Sequence, residues 1–332
     1  MKRLVTMVCA AAVAATLAAC GAGSPSGGTV ATDDSGASPA EGMTAVKVGA
    51  IPIGDVAPLH LGKAKGFFEE EGLDLTIENT TGGAVSVPGV VSGSFDFAFG
   101  NTVSLMVARD QGLDLKYVVN GTRASDEDDV DFAGVVVAKD SDIKAVTDLE
   151  GKTVSSNNLA NIGDTTIRTA VDKAGGDGSS LKFVEVAFPD ALAAVENGQV
   201  DAALILEPFL TSAIKSGARV VSWPYRGTHP NLDIGGYFTS ADKIKQDPEL
   251  VEKFTAGMTK SMNYAQENPD EVREIIGTYT KTDPALLEEI VLPRFDPTFD
   301  RDAAQTLADA VLKYGTVDNT VDLDALLPPE SQ

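Results

Sequence analysis

Cysteine, histidine and tryptophan are all scarce in this 332-residue chain, which contains two cysteines, two histidines and one tryptophan. Both cysteines, Cys9 and Cys20, lie near the amino terminus. The rest of the chain therefore has no thiol, which excludes disulfides, cysteine nucleophiles, cysteine–zinc sites and iron–sulfur clusters there. The two histidines, His60 and His229, are far apart in the sequence. We therefore predict no metal site and no cofactor.

Positive charge is scarce as well. The chain has 26 Lys and Arg residues against 49 Asp and Glu residues, a net charge of −23. Such a surface repels nucleic acid and anionic lipid, so we predict no nucleic-acid partner. The acidity also keeps an exported protein soluble, and that simpler explanation is sufficient.

The first twenty residues have the composition of an export signal. Lys2 and Arg3 precede an apolar run over residues 4–16, which is too short to span a bilayer. The run ends in Leu17-Ala-Ala-Cys20, which resembles the lipobox of bacterial lipoproteins. This resemblance implies a signal peptide over residues 1–19 and acylation of Cys20, palmitate included. We predict a lipid anchor on the extracytoplasmic face of the cell membrane; the alternative is an ordinary signal peptide with an incidental cysteine.

Residues 20–44 are mostly Gly, Ser, Ala, Thr and Pro and have no apolar periodicity. Such a segment cannot bury enough surface to fold, so we predict a flexible tether that follows the lipidated cysteine. The remaining 288 residues (332 − 44) are enough for two compact units.

Two parts of the chain share one order of strands and helices. Residues 90–98 (VVSGSFDFA) match residues 195–203 (VENGQVDAA) at a constant offset of 105, which pairs Gly93 with Gly198 and Asp96 with Asp201. We interpret the glycines as helix ends with positive φ and the aspartates as residues that open a strand. The repeat predicts two similar βαβαβ lobes.

We place lobe 1 at residues 45–139 plus 236–332 and lobe 2 at residues 140–235. A helix is predicted over residues 58–71, and Tyr237 lies in the strand that returns to the first lobe. From Asp247 the sequence becomes helical, with an apolar stripe that includes Phe254 and Met258. We expect this helical tail to pack back on the first lobe.

Four sequence blocks carry a resemblance to a known family: residues 58–73 (PLHLGKAKGFFEEEGL), 93–98 (GSFDFA), 148–154 (DLEGKTV) and 198–208, which ends in Glu207-Pro208. Together they resemble bacterial solute-binding proteins for nitrate, taurine, alkanesulfonates and thiamine precursors, over about residues 46–265. The resemblance implies an α/β type II periplasmic-binding fold with two lobes, two crossover hinge strands and a helical C-terminal tail. It also implies a substrate-binding component of an ABC importer, partnered by a permease and an ATPase.

Ligands of open parallel sheets bind beyond the carboxyl ends of the strands, near helix N-termini. Applied to the predicted strands, this rule selects a set of candidate ligand-binding residues from both lobes. They are Gly54, Asp55, Thr80, Thr81, Gly82, Gly83, Asn101 and Thr102 from lobe 1, and Asn158, Asn161, Gly163, Asp164, Thr165 and Glu207 from lobe 2, with Ile53, Gly100, Asn157 and Phe188 in the same segments.

Each candidate also has a simpler interpretation. Asp55 and Asp164 can be helix caps, and Glu207 can serve the backbone geometry of its Glu-Pro pair. Trp223 and Tyr237 could stack on a ligand, although packing in the core or hinge is the favoured interpretation. These alternatives stay open at the level of sequence.

The predicted rim of the site contains three acids and no lysine or arginine, which favours a neutral or amine-bearing ligand such as a heteroaromatic thiamine precursor. Sulfonate, taurine or nitrate held on helix N–H groups is the alternative. Because nucleophile-elbow and phosphate-loop motifs are absent from the sequence, we do not expect an enzyme. Hydrolysis by Asp55, Asp164 or Glu207 and a role as a sensor module are the competing classes. We also expect a monomer.

Overall fold

The computed structural model describes residues 42–127, 129–329 and 331. The predicted signal peptide, Cys20 and almost all of the predicted tether lie outside these residues. The strands are β1 (Thr44–Ala50), β2 (Leu73–Asn79), β3 (Phe97–Asn101), β4 (Leu115–Arg123), β5 (Ala133–Val137), β6 (Thr153–Ser156), β7 (Lys182–Glu185), β8 (Ala202–Leu206), β9 (Arg219–Ser222), β10 (Asp233–Ser240) and β11 (Arg294–Phe295).

The helices connect these strands and make up most of the C-terminal part. They are α1 (Ala57–Ala64), α2 (Phe67–Glu70), α3 (Gly83–Val91), α4 (Thr102–Asp110), α5 (Ile162–Lys173), α6 (Phe188–Glu196), α7 (Phe209–Lys215), α8 (Pro224–Thr228), α9 (Ala241–Gln246), α10 (Pro248–Glu267), α11 (Pro269–Thr280), α12 (Pro284–Leu287), α13 (Arg301–Lys313) and α14 (Leu323–Leu326). Within the described ranges, none of these helices combines the length and the apolar character that crossing a bilayer requires.

The strands form two separate sheets, one in each lobe. The first has the order β11-β4-β10-β3-β1-β2, and the second has the order β7-β6-β8-β5-β9. In each sheet the βαβ units pair in parallel, β1 with β2 and β3, and β6 with β7 and β8. Antiparallel strands complete both sheets. This confirms the prediction of a two-lobed α/β fold.

The chain crosses between the sheets twice, from β4 to β5 and from β9 through α8 to β10. Both crossings come earlier than the predicted lobe boundaries after residues 139 and 235. The strand β5 belongs to the second sheet, and β10 enters the first sheet at Asp233. The sequence could not locate the crossings because the β5 run is uniformly apolar and fits either sheet.

The repeated residues have the same structural role in both lobes. Gly93 and Gly198 end their helices with φ of 74° and 65°. The Asp96 carboxylate accepts a hydrogen bond from the N–H of Lys47 at 2.9 Å. Asp201 accepts one from the N–H of Thr153 at 2.8 Å. Each aspartate thus ties the start of one strand to its parallel neighbour, as its role in folding predicted.

Two predicted helical features differ in the structure. The helix expected over residues 58–71 is divided into α1 and α2 because Gly66 adopts φ of 77°, which ends the first helix. The tail is helical, and α10 buries its stripe, including Phe254 and Met258, against the first lobe. However, α13 packs against both α4 of the first lobe and α5 of the second. The tail therefore contacts both lobes.

Candidate functional site

A cavity of about 30 Å³ lies between the two sheets. Most residues around it come from the carboxyl ends of β1, β2 and β3 in the first lobe and of β6, β7 and β8 in the second, and the start of β10 and α8 contribute one residue each. They are Ile51, Ile53, Asp55, Gly82, Gly83, Phe99, Gly100, Asn101 and Ile234 from the first lobe, and Asn157, Ile162, Phe188, Leu206 and Tyr225 from the second. The lining is mainly apolar and aromatic, and among the described residues it includes no lysine or arginine.

Asp55 is the only carboxyl group in this lining. Its side chain is 1% exposed. One carboxylate oxygen accepts a hydrogen bond from the hydroxyl of Thr122 at 3.2 Å, whereas Oδ2 has no partner among the described residues. Burial raises the pKa of Asp55 from 3.8 to about 7, against the opposing effect of the Thr122 hydrogen bond. Near neutral pH this carboxyl group can therefore accept a hydrogen bond from a ligand or, when protonated, donate one.

Asp164 and Glu207, the other two candidate acids, do not line the cavity. Asp164 caps α5, since it accepts the N–H of Asn161 at 2.6 Å. Burial raises its pKa. The Glu207 carboxylate accepts the N–H and hydroxyl of Thr211 and the N–H of Val291. Burial raises the pKa of Glu207 to about 7. Of the three acids, only Asp55 is available to a molecule in the cavity.

The structure places four of the candidate residues in the cavity lining: Asp55, Gly82, Gly83 and Asn101. The others surround the site without lining it, and many make internal hydrogen bonds. The Thr80 hydroxyl bonds to that of Ser86, and the Thr102 hydroxyl donates to the carbonyl of Asp233. Those outside the lining are Gly54, Thr80, Thr81, Thr102, Asn158, Asn161, Gly163, Asp164, Thr165 and Glu207.

Several hydrogen bonds join the two lobes beside the cavity. The Asn157 side-chain amide donates to the carbonyl of Thr81 at 3.3 Å. The Asn161 amide donates to the Ser104 hydroxyl at 3.0 Å. In addition, the Gly54 N–H donates to the carbonyl of Glu207 at 3.1 Å. The asparagine-rich loop predicted to bind a ligand thus contacts the opposite lobe.

The sequence reasoning missed several residues of the lining, namely Ile51, Phe99, Ile162, Leu206, Tyr225 and Ile234. Most are apolar residues at strand ends and cannot be told from core residues by sequence. Tyr225 could have been noticed, since it stands two residues after Trp223 in the segment that crosses between the lobes. Trp223 and Tyr237 are absent from the lining. Both pack in hydrophobic cores, which was the favoured interpretation of these two residues.

At about 30 Å³ the cavity has room for about one water molecule, so a larger ligand requires the lobes to move apart. The site then offers contacts from two sides. On the first-lobe side, α3 begins at the cavity and its N-cap residue Gly82 provides no side-chain hydrogen bond. Helix N–H groups favour an acceptor or an anion. Asp55 favours a donor, and Phe99, Phe188 and Tyr225 provide apolar faces. This lining is suited to recognition through a few polar contacts and burial of a mostly apolar body.

Comparison with known proteins gives a matching family and two similar named proteins. The family described as "NMT1/THI5 like" matches residues 54–272. A Bacillus subtilis protein that carries the name of an aliphatic sulfonates-binding protein is 23% identical over 280 residues, which is 81% of each chain. A formylaminopyrimidine-binding protein of Halalkalibacterium halodurans is 23% identical over 225 residues, which is 66% of this chain and 65% of that protein.

Solved structures with the same fold include two binding proteins. The alkanesulfonate-binding protein SsuA from Xanthomonas axonopodis pv. citri, bound to MOPS, superposes with a TM-score of 0.72 at 18% identity, covering 87% of this chain and 99% of that one. The nitrate-binding protein NrtA from Synechocystis PCC 6803 superposes with a TM-score of 0.71 at 15% identity, covering 86% of each chain. At these identities the likeness establishes the fold.

Proposed function

We propose, from the premise that the chain belongs to the NMT1/THI5-like family, that it is the extracytoplasmic substrate-binding component of an ABC importer. Its named relatives are binding proteins for small solutes. The site supports the same role here, because a small cavity lies between two lobes and the chain crosses between these lobes twice. The ligand contacts both lobes only when they are close together, so binding shifts the population toward the closed form.

The ligand proposed for this site is a neutral or amine-bearing small molecule, such as a heteroaromatic thiamine precursor. The observation that carries this proposal is Asp55, which lines a cavity without any lysine or arginine in its described lining and whose buried Oδ2 has no hydrogen-bond partner among the described residues. A buried acceptor without a partner is costly, and an N–H donor on the ligand relieves that cost. The aromatic rings of Phe188 and Tyr225 fit a planar body.

A sulfonate, taurine or nitrate is the alternative ligand, and one feature favours it. The α3 N-terminus at Gly83 faces the cavity without a side-chain cap, which suits an anion. An anion placed there also lies near Asp55, and the two are compatible only if Asp55 is protonated or the ligand carries an amine as well.

Calorimetry can decide between the ligand classes. Formylaminopyrimidine, taurine and nitrate are titrated into the wild-type chain and into Asp55→Asn. We expect formylaminopyrimidine to bind, and its affinity to fall by about ten- to hundredfold in the variant, since hydrogen bonds to charged groups contribute about 1.5–3 kcal/mol. Asp242→Asn, which removes an exposed carboxylate on α9, is the control and should leave the affinity unchanged. Tight binding of nitrate or taurine alone, insensitive to Asp55→Asn, would reject the proposed ligand class.

The same proposal includes the anchor and the partners. Cys20 carries the lipid after removal of residues 1–19, the tether 20–44 joins it to the lobes, and the permease and ATPase receive the ligand from a monomer that performs no catalysis. Support comes from the sequence motif at Cys20 and from the binding-protein relatives. Mass spectrometry of the amino-terminal peptide tests the anchor: a diacylglyceryl-modified Cys20 is expected, and an unmodified cysteine would contradict it.

A further inference from the structure

Gly82 lies where the two lobes meet. It follows β2, lines the cavity and is buried. Its backbone has φ of 127° and ψ of −162°, a conformation that essentially only glycine adopts. Across the cleft, Asn157 donates its side-chain amide to the carbonyl of the preceding residue, Thr81, at 3.3 Å. The turn at residues 81–82 is therefore the part of the first lobe that the asparagine loop of the second lobe covers.

The opposing side chain, Asn158, is held in place. It is 4% exposed, and its amide nitrogen donates to the carbonyl of Asn157 at 2.8 Å. This hydrogen bond directs Oδ1 toward Gly82, where Oδ1 is buried without a hydrogen-bond partner among the described residues. A β-carbon at position 82 would lie 2.5 Å from Asn158 Oδ1 and 3.0 Å from the Asn157 amide nitrogen. Both distances are too short for packed atoms.

We propose that Gly82 is a positioning residue that sets how closely the two lobes approach, because Asn158 of the opposite lobe occupies the space of its missing side chain. A methyl group at position 82 cannot share this space with an asparagine that its own hydrogen bond fixes. The lobes must then stop at a wider separation, and the closed form becomes less populated. This role concerns closure and does not depend on which ligand binds.

The closed form can be measured by a disulfide across the cleft. The Asn161 amide and the Ser104 hydroxyl are 3.0 Å apart on opposite lobes, beside Gly83. In a full-length chain that carries Ser104→Cys and Asn161→Cys, oxidation joins the two sulfurs whenever the lobes close. The rate of joining is read by mass spectrometry of the linked 104–161 peptides, which separates this disulfide from any product of Cys9 or Cys20.

In this reporter chain, Gly82→Ala should slow the formation of the disulfide by about tenfold, the size expected from overpacking. Gly93→Ala is a control for the loss of a glycine with positive φ, since its β-carbon would meet no atom within 4 Å. The control should leave the rate unchanged. Adding Asn158→Ala to Gly82→Ala should restore part of the rate, because it removes the contact with Asn158 Oδ1 while the backbone strain at position 82 remains.

Three results would overturn the proposal. They are an unchanged rate in Gly82→Ala, a slowed rate that Asn158→Ala does not raise at all, and a parent reporter in which the disulfide never forms. If Gly82→Ala does not fold, Asn158→Gln tests the same contact from the second lobe. It lengthens the opposing side chain by one methylene and should slow the disulfide as well, so an unchanged rate in that variant would also overturn the proposal.

Discussion

Asp55→Asn should stabilise the folded chain in a pH-dependent manner. The carboxyl group is 1% exposed, and burial raises its pKa from 3.8 to about 7. The folded state therefore binds this proton more tightly than the unfolded state does. The folded state loses stability as the pH rises from about 4 to about 7, because Asp55 is ionised in the unfolded chain over this range while the folded chain still keeps it protonated. This pH dependence of stability is opposite to that of a carboxylate held in an ion pair.

The size of the effect follows from the two pKa values. One pKa unit corresponds to about 1.4 kcal/mol, so ionisation of Asp55 costs the fold about 4 kcal/mol at pH 8 and about 2 kcal/mol at pH 5. Asparagine carries no such cost. The gain in unfolding free energy of Asp55→Asn over wild type should therefore be larger by about 2–3 kcal/mol at pH 8 than at pH 5.

Urea denaturation of wild type, Asp55→Asn and the control Asp242→Asn at both pH values measures this difference. The control should follow the wild type at each pH, since the Asp242 side chain is exposed. A gain for Asp55→Asn that is the same at pH 5 and pH 8 would refute the reasoning, and so would a loss of stability at pH 8. The predicted result, more stability with weaker ligand binding, is the signature of a residue kept for function.

Three other substitutions test the fold around the site. Arg123→Ala should destabilise the chain by about 3 kcal/mol, and by more at pH 8 than at pH 5, because it removes the 2.7 Å ion pair of Asp233. The Asp233 side chain is 0% exposed, and burial raises its pKa to about 7. Urea denaturation at both pH values measures the loss, and equal losses would contradict the prediction. Gly235→Ala should lower the melting temperature because its β-carbon would lie 2.6 Å from a backbone oxygen of β3, and an unchanged value would show that the crossing strand has room. Asp201→Asn should cost about 1 kcal/mol in urea through a weaker bond to the Thr153 N–H, and no cost would remove the proposed role of the repeated aspartate.

The general architecture could be predicted from sequence because its signals are local. Gly93 and Gly198 end helices, and Asp96 and Asp201 tie parallel strands together, and these features are visible as an offset of 105 residues. The lobe boundaries were harder to locate. They depend on which sheet the strand β5 joins, and an apolar run does not carry that information.

The site was only partly predictable. The rule for the carboxyl ends of strands pointed to Asp55 and to the turn at Gly82, and both line the cavity. The sequence could not tell that Asp164 and Glu207 satisfy backbone N–H groups while Asp55 keeps a free oxygen, since that depends on tertiary packing. It also could not tell that Asn158 faces a glycine of the other lobe.

A crystal structure of the chain with formylaminopyrimidine tests the central claim most directly. We expect a ring between the two sheets, against Phe188 and Tyr225, with a ligand nitrogen within hydrogen-bond distance of Asp55 Oδ2. Ligand density outside this cavity, or a ring in the cavity whose nitrogens avoid Asp55, would contradict it.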